Sequence, residues 1–144
     1  MTILVTGSSG HLGEGLMRTF RGGGRAALGL DLLPGAFTDR VGAIGDRTFL
    51  ADALSGATTI FHTATLHKPH VASHPMQAFV DTNVTGTLAL LEAASAAGVQ
   101  RFVFTSTTSA FGSALTPPPG APAAWIDEDV VPVPRNIYGA TKLA

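Results

Sequence analysis

Thr6-Gly7-Ser8-Ser9-Gly10-His11-Leu12-Gly13 follows the apolar run Ile3-Leu4-Val5 and opens a segment with helical periodicity. Strand, glycine-rich turn and helix in that order read as a cradle for a dinucleotide. Gly7 lets the strand turn sharply, Gly10 lets backbone N–H groups approach a pyrophosphate, and Gly13 lets the new helix pack closely on its strand. The anion then sits on a helix N-terminus. In a chain with 17 glycines the triplet alone is weak evidence. The run Ala26-Ala27-Leu28-Gly29-Leu30-Asp31 strengthens it. It reads as a second strand ending in a carboxylate about 20 residues past the loop, where ribose hydroxyls need an acceptor. The plainer alternative is a turn before a helix, with Asp31 as a strand-end cap.

The chain has 144 residues, enough for one domain with a real core but not for a nucleotide domain plus a full substrate domain. A formal charge of −1, with 13 % charged residues, offers no basic footprint for nucleic acid and no polybasic membrane patch. Small neutral or anionic metabolites are the expected partners. Cysteine is absent, which excludes disulfides, a thiolate nucleophile and Cys-ligated metal, and fits a cytosolic protein. The N-terminus enters Ile3-Leu4-Val5 with no charged leader or cleavage site, and no apolar run reaches the ~18 residues of a membrane span. A soluble, cytoplasmic protein is expected.

Residues 2 to 6 form the first strand, and Leu12, Leu16, Met17 and Phe20 mark the buried face of a helix that Arg21-Gly22-Gly23-Gly24 stops. After the second strand, Leu32-Leu33-Pro34-Gly35 is a turn and Val41 to Ile44 a short third strand. Phe49, Leu50, Ala53 and Leu54 suit one face of a short helix closed by Gly56, and Thr58-Thr59-Ile60-Phe61-His62 is a fourth strand. A polar, unperiodic stretch from Thr63 to Pro75 precedes a helix from about Met76 to Ala97, with Phe79, Val80, Leu88, Leu91 and Ala94 expected inside. Arg101-Phe102-Val103-Phe104-Thr105-Ser106 is strand five. The long segment from Phe111 to Arg135 is a loop, and a helix starts at Asn136. Alternating strands and helices predict a parallel sheet with ligands at the carboxyl ends of its strands.

Two groups there carry chemistry. Tyr138-Gly139-Ala140-Thr141-Lys142 puts a phenol and an ammonium four residues apart, on one face of a helix. The cation stabilises phenolate and moves a tyrosine of ordinary pKa near ~10 toward use as a general acid or base. A solvated helix face is the bland alternative. The run Thr105-Ser106-Thr107-Thr108-Ser109 supplies hydroxyls at the crevice, where they can bond a reacting hydroxyl or carbonyl, or simply cap a turn.

With these stretches in order, joined by Phe61-His62-Thr63-Ala64 and Asn83-Val84-Thr85-Gly86-Thr87, the chain resembles the N-terminal half of an extended short-chain dehydrogenase/reductase of the sugar-nucleotide epimerase/dehydratase group. The similarity spans essentially the whole sequence and implies a Rossmann-type doubly wound parallel α/β sheet binding NAD. His11 and Leu12 would lie against the pyrophosphate. Asp31 would accept from the adenosine ribose, favouring NAD over NADP, and Asp46 with Arg47 would flank the adenine. Thr63, Ala64 and Thr65 would line the nicotinamide side, with Thr82 and Asn83 nearby. Thr107 matches the family's catalytic Ser/Thr and Tyr138 its acid/base. Lys142 matches the residue that holds nicotinamide-ribose hydroxyls while lowering the tyrosine's pKa. The resemblance further implies a nucleotide sugar as substrate and a homodimer for the complete protein.

The chain departs from the pattern in three places. Thr65 stands where a small residue is usual, and Phe111-Gly112 where Tyr-Gly is usual. The sequence also stops two residues past Lys142, whereas family members continue for roughly another domain. Residues 1–144 are therefore expected to be an incomplete NAD-binding domain, truncated after strand five, without the substrate region and inactive alone. Thr108-Ser109 replaces the Asp-Glu pair of 4,6-dehydratases and disfavours dehydration. A ketone or aldehyde reductase and a non-catalytic NAD sensor are the competing readings. A metal site from His67, His70 and His74 is disfavoured, because Pro69 and Pro75 interrupt the segment and no carboxylate stands beside it.

Overall fold

Strand β1 (Thr2–Thr6) buries four successive residues, as a strand covered on both faces must. In the computed structural model, which describes residues 2–144, it lies at the centre of a five-stranded sheet. The order is β3 (Arg40–Val41), β2 (Ala27–Asp31), β1, β4 (Ala57–His62) and β5 (Arg101–Phe104), all parallel. Chain order reverses beside β1, which is where ligands bind in open sheets of this Rossmann type. Register brings the carboxyl ends level: Thr6 pairs with Leu30 and with His62, and His62 with Phe104.

Helices cover both faces. On one, Ile3, Val5 and Ala27 pack with Met17, Leu16 and Phe20 of α1 (His11–Gly22). On the other, Leu4, Leu30 and Ile60 pack with Leu50, Ala53 and Leu54 around α2 (Arg47–Ala53), and with Ala89, Leu90 and Ala94 of α4 (Gly86–Ala96). Among the described residues no helix is long and apolar enough to cross a membrane.

Three sequence expectations are corrected. The third strand is Arg40–Val41 rather than Val41 to Ile44. Ile44 is buried under α4, close to Gly86, so the chain leaves the sheet after Val41 to place that side chain in the core. Leu12 is 48 % exposed, because the first turn of α1 opens at the sheet edge instead of lying over the core. The helix expected over 76–97 is continuous but not uniform: α3 (Met76–Phe79) passes through a π-helical turn, Val80–Thr85, into α4. Its wider i→i+5 turn rotates everything after it relative to a straight α-helix. Gly86, Ala89, Leu90 and Ala94 therefore face inward, while Leu88 and Leu91 stand 52 % and 43 % exposed.

The segment after β5 starts with a 3₁₀ turn, Thr108–Ala110, and returns through a single bridge between Gly112 and Val133. Arg135 ties its two limbs by donating to Ser113 Oγ and Thr116 Oγ1, each at 2.9 Å. That closure delivers α5 (Ile137–Leu143) to the end of β5, its N-terminus capped by the Asn136 side chain, which accepts the Gly139 N–H.

Candidate functional site

The glycine-rich loop follows β1 with a geometry only glycine supports at two points. Gly7 has φ +76°, and a Cβ there would lie 2.7 Å from the Ala64 nitrogen. At Gly13 a Cβ would lie 1.9 Å from the Gly7 carbonyl oxygen, so the first turn of α1 packs on the loop backbone itself. Gly10 is the N-cap of α1 and supplies no side-chain cap. The first N–H groups of this twelve-residue helix, at His11 and Leu12, are thus left for an outside acceptor. A pyrophosphate fits that cradle.

Asp31 ends β2 beside the loop. Its carboxylate accepts the Ser9 N–H and the Leu33 N–H, each at 3.0 Å, which fixes its direction and couples it to the glycine turn. Asp46 caps α2 by accepting the Phe49 N–H at 3.0 Å, while Arg47 reaches across to Glu92 on α4. Both residues expected to flank an adenine thus stand at the N-terminus of α2.

After β4, the Thr63 hydroxyl donates to the Thr6 carbonyl at 2.7 Å, and the Ala64 N–H donates to Thr6 Oγ1 at 3.3 Å. Thr65 Oγ1 lies 2.9 Å from Asn83 Oδ1. Asn83, buried in the π turn, has Oδ1 accepting the Leu66 N–H at 2.8 Å, with Nδ2 donating to the Leu66 carbonyl at 2.9 Å and to Thr141 Oγ1 at 3.0 Å. Thr82 is half-buried on the same turn.

Helix α5 brings Tyr138 and Lys142 to this edge. Tyr138 is 9 % exposed, and the hydrogen bonds made around it, at Asn136, Ser109 and Thr141, leave its hydroxyl out. Lys142 is buried. Its Nζ donates to the Thr105 carbonyl at 2.8 Å and sits 4.3 Å from the centroid of the Phe104 ring. Burial pulls its pKa down to about 8, so the ammonium persists at neutral pH with two N–H groups still free to donate. Thr107 Oγ1 accepts the Ser109 N–H at 3.1 Å, leaving its own proton available. Thr107, Tyr138 and Lys142 thus all come to the carboxyl end of β5.

Sequence reasoning missed a buried polar chain beneath the site. Thr6 Oγ1, which takes the Ala64 N–H, lies 2.6 Å from His62 Nδ1, and His62 Nε2 lies 3.0 Å from Thr87 Oγ1. A neutral ring with its proton on Nε2 satisfies every partner. Burial, helped by the Lys142 charge, lowers the His62 pKa to about 4. The available signal was polar residues ending otherwise apolar strands. Because the folded pKa lies below the ordinary ~6.5, the unfolded chain takes up protons first as pH falls, and stability is lost between those two values. Urea midpoints measured from pH 7 to pH 4 should fall over that window, and His62→Gln should flatten the dependence. Equal slopes in the two proteins would remove His62 as its source.

His67, His70 and His74 stack edge to face, with ring centroids 4.4 and 5.1 Å apart, and His70 Nδ1 accepts the His67 N–H. Among the described residues no three His, Cys, Asp or Glu side chains are grouped to hold a metal.

Comparison with known proteins then decides the family. The pattern of the NAD dependent epimerase/dehydratase family matches residues 3–144. The chain belongs to this family. A UDP-glucose 4-epimerase from Rhizobium leguminosarum bv. trifolii is 32 % identical over 98 % of this chain and 44 % of its own length. Sterol demethylase protein B from Methylococcus capsulatus is 37 % identical over 78 % of this chain and 36 % of its own. Among solved structures, MoeE5 in complex with UDP-glucose and NAD superposes with a TM-score of 0.83 at 32 % identity, covering 99 % of this chain and 46 % of that one. The chain spans less than half the length of each.

Proposed function

We propose that the complete protein is an NAD-dependent enzyme of this family acting on a nucleotide sugar, by reversible hydride transfer from a sugar hydroxyl carbon in the manner of a 4-epimerase. The observation that carries the reading is that the carboxyl ends of the strands present both an uncapped helix N-terminus over Gly7 and Gly13 and, at β5, a buried lysine with a tyrosine whose hydroxyl has no hydrogen bond among the described residues. The UDP-glucose 4-epimerase and MoeE5 likenesses support the substrate class.

Bound NAD supplies the hydride acceptor. Tyr138 removes the hydroxyl proton of the substrate, and Thr107 donates a hydrogen bond to the same oxygen. Lys142, anchored on Thr105, holds ribose hydroxyls and stabilises the phenolate. Asp31 accepts from a free adenosine 2′-hydroxyl. A homodimer of the complete protein belongs to the same reading, and sedimentation of that protein tests it.

Product analysis with UDP-glucose and related nucleotide sugars tests the activity: inversion at the sugar carbon supports the epimerase. The likeness to sterol demethylase protein B favours one competitor, an oxidoreductase for a ketone or alcohol of another class, and net NADH formation from a sterol with no sugar turnover would establish it. NAD should bind at least about tenfold more tightly than NADP, because the Asp31 carboxylate repels a 2′-phosphate. Dissociation constants for both, repeated with Asp31→Asn, check this, and equal affinities in the unaltered protein would end the assignment.

A further inference from the structure

The Asp31 carboxylate is held from two sides, by the Ser9 N–H of the glycine-rich loop on Oδ2 and by the Leu33 N–H of the turn after β2 on Oδ1. Its direction therefore depends on how that turn sits on that loop, and three hydroxyls join the two. Ser9 has one hydroxyl proton, which it donates to the Leu33 carbonyl at 2.9 Å. In its 2.8 Å contact with Thr38 Oγ1 it must accept. Thr38 has then given its own proton and accepts in turn from Ser8 Oγ, also at 2.8 Å. The order of donation is fixed: Ser8 to Thr38, Thr38 to Ser9, and Ser9 to the backbone of the residue whose N–H holds Asp31. Ser8 is buried, so removing the Thr38 oxygen takes the acceptor from a buried hydroxyl.

The backbone on either side of Thr38 brings its hydroxyl to this point. Its N–H donates to the Gly35 carbonyl at 3.1 Å, and a Cβ at Gly35 would lie 2.7 Å from Ser9 Oγ, so the turn rests on the loop. Beyond it the chain lies directly on β2, where a Cβ at Gly29 would stand 1.8 Å from the Phe37 carbonyl oxygen. The Asp39 N–H donates to the Gly29 carbonyl at 2.8 Å, and the Asp39 carboxylate accepts the Gly29 N–H at 2.7 Å and Arg21 Nη2 from α1. Residues 35 to 39 thus form a strap pinned to β2 at one end and linked by Thr38 to the glycine-rich loop. We infer that Thr38 is a positioning residue for cofactor selection, holding the strap on that loop so that the Asp31 carboxylate meets an adenosine 2′-hydroxyl; this rests on the reading of Asp31 above. Thr38 itself makes no contact with the nucleotide, since its proton and its exposed lone pairs face Ser9 and Ser8. Without it the Ser9 and Leu33 N–H groups are no longer held at one spacing, and the carboxylate between them loses its fixed direction.

The test uses the complete protein and four variants: Thr38→Val, Thr38→Ser, Ser9→Ala and, as a reference, Thr19→Val, whose hydroxyl bonds only to the Gly15 carbonyl of its own helix. Thr38→Val keeps the shape and removes both hydroxyl contacts, and Thr38→Ser restores them. The NAD dissociation constant is expected to rise about tenfold in Thr38→Val, the scale of one hydrogen bond to a charged group, while that for NADP moves by less than about threefold. Discrimination between the two should recover in Thr38→Ser and be unaffected in Thr19→Val. NAD and NADP affinities that fall by the same factor in Thr38→Val would mean that Thr38 only supports the fold, and would overturn the inference, as would unchanged discrimination. If Thr38→Val does not fold, Ser9→Ala, which breaks the chain at the next hydroxyl and keeps the Ser9 N–H, decides by the same ratio.

Hydrogen exchange supplies a readout independent of cofactor. The Ser9 and Leu33 amides, both bonded to Asp31, should exchange about tenfold faster in Thr38→Val and at the unaltered rate in Thr38→Ser and Thr19→Val. Unchanged exchange of both amides in Thr38→Val would overturn the positioning role. Equal NAD and NADP affinities in the unaltered protein would refute the reading of Asp31, and with it selection through Thr38; amide exchange would then still decide whether Thr38 holds that carboxylate in place.

Discussion

Tyr138→Phe in the complete protein is expected to lower kcat by ~10²- to 10⁴-fold while leaving NAD affinity within about threefold. The ring is buried and its packing survives the change, so only the hydroxyl is removed. That hydroxyl takes no part in the hydrogen bonds that hold α5, which run through Asn136, Gly139 and Thr141. Lys142→Met gives the contrasting result. It removes the buried cation at the end of β5 and the donors meant for ribose, so turnover and NAD affinity are expected to fall together. Turnover of Tyr138→Phe at the unaltered rate would require another acid/base.

Gly13→Ala is expected to abolish practical NAD binding, on the order of a hundredfold loss, and to lower stability by about 1–3 kcal/mol. The new methyl would lie 1.9 Å from the Gly7 carbonyl oxygen and 2.6 Å from its carbon, both backbone atoms, so either the loop or the helix must move. Either movement spoils the cradle, since Gly7 and the N-terminus of α1 form its two sides. Gly15→Ala, two residues further along α1, is the control. Nothing lies within 4 Å of its Cβ position, and alanine in a helix interior is favoured over glycine by roughly 0.5–1 kcal/mol. Thermal melts and NAD titrations of the two variants should therefore diverge, and a Gly13→Ala protein that binds NAD normally would disprove the assignment of this loop.

The glycine loop, the acid after β2, the alternation of strands with helices and the Tyr-x-x-x-Lys helix were all legible from residue order. Each depends on local chemistry: backbone torsions at glycine, an uncapped helix N-terminus, apolar runs long enough for a strand, and the one-turn spacing of Tyr138 and Lys142. The tertiary structure decided what long-range packing controls. Periodicity placed Leu88 and Leu91 inside, but the π turn at Val80–Thr85 rotates α4 and buries Ala89 and Leu90 instead. Composition could not reveal that turn, since an i→i+5 bond leaves no mark on residue type. Ile44 left the sheet for a core position beside Gly86. Arg47 met Glu92 across 45 residues, and Asn83 met Leu66 on one side and Thr141 on the other, 58 residues later. A side chain's hydrogen-bond partners are set by which backbones the fold brings within 3 Å, and that information exists only once the chain has closed on itself.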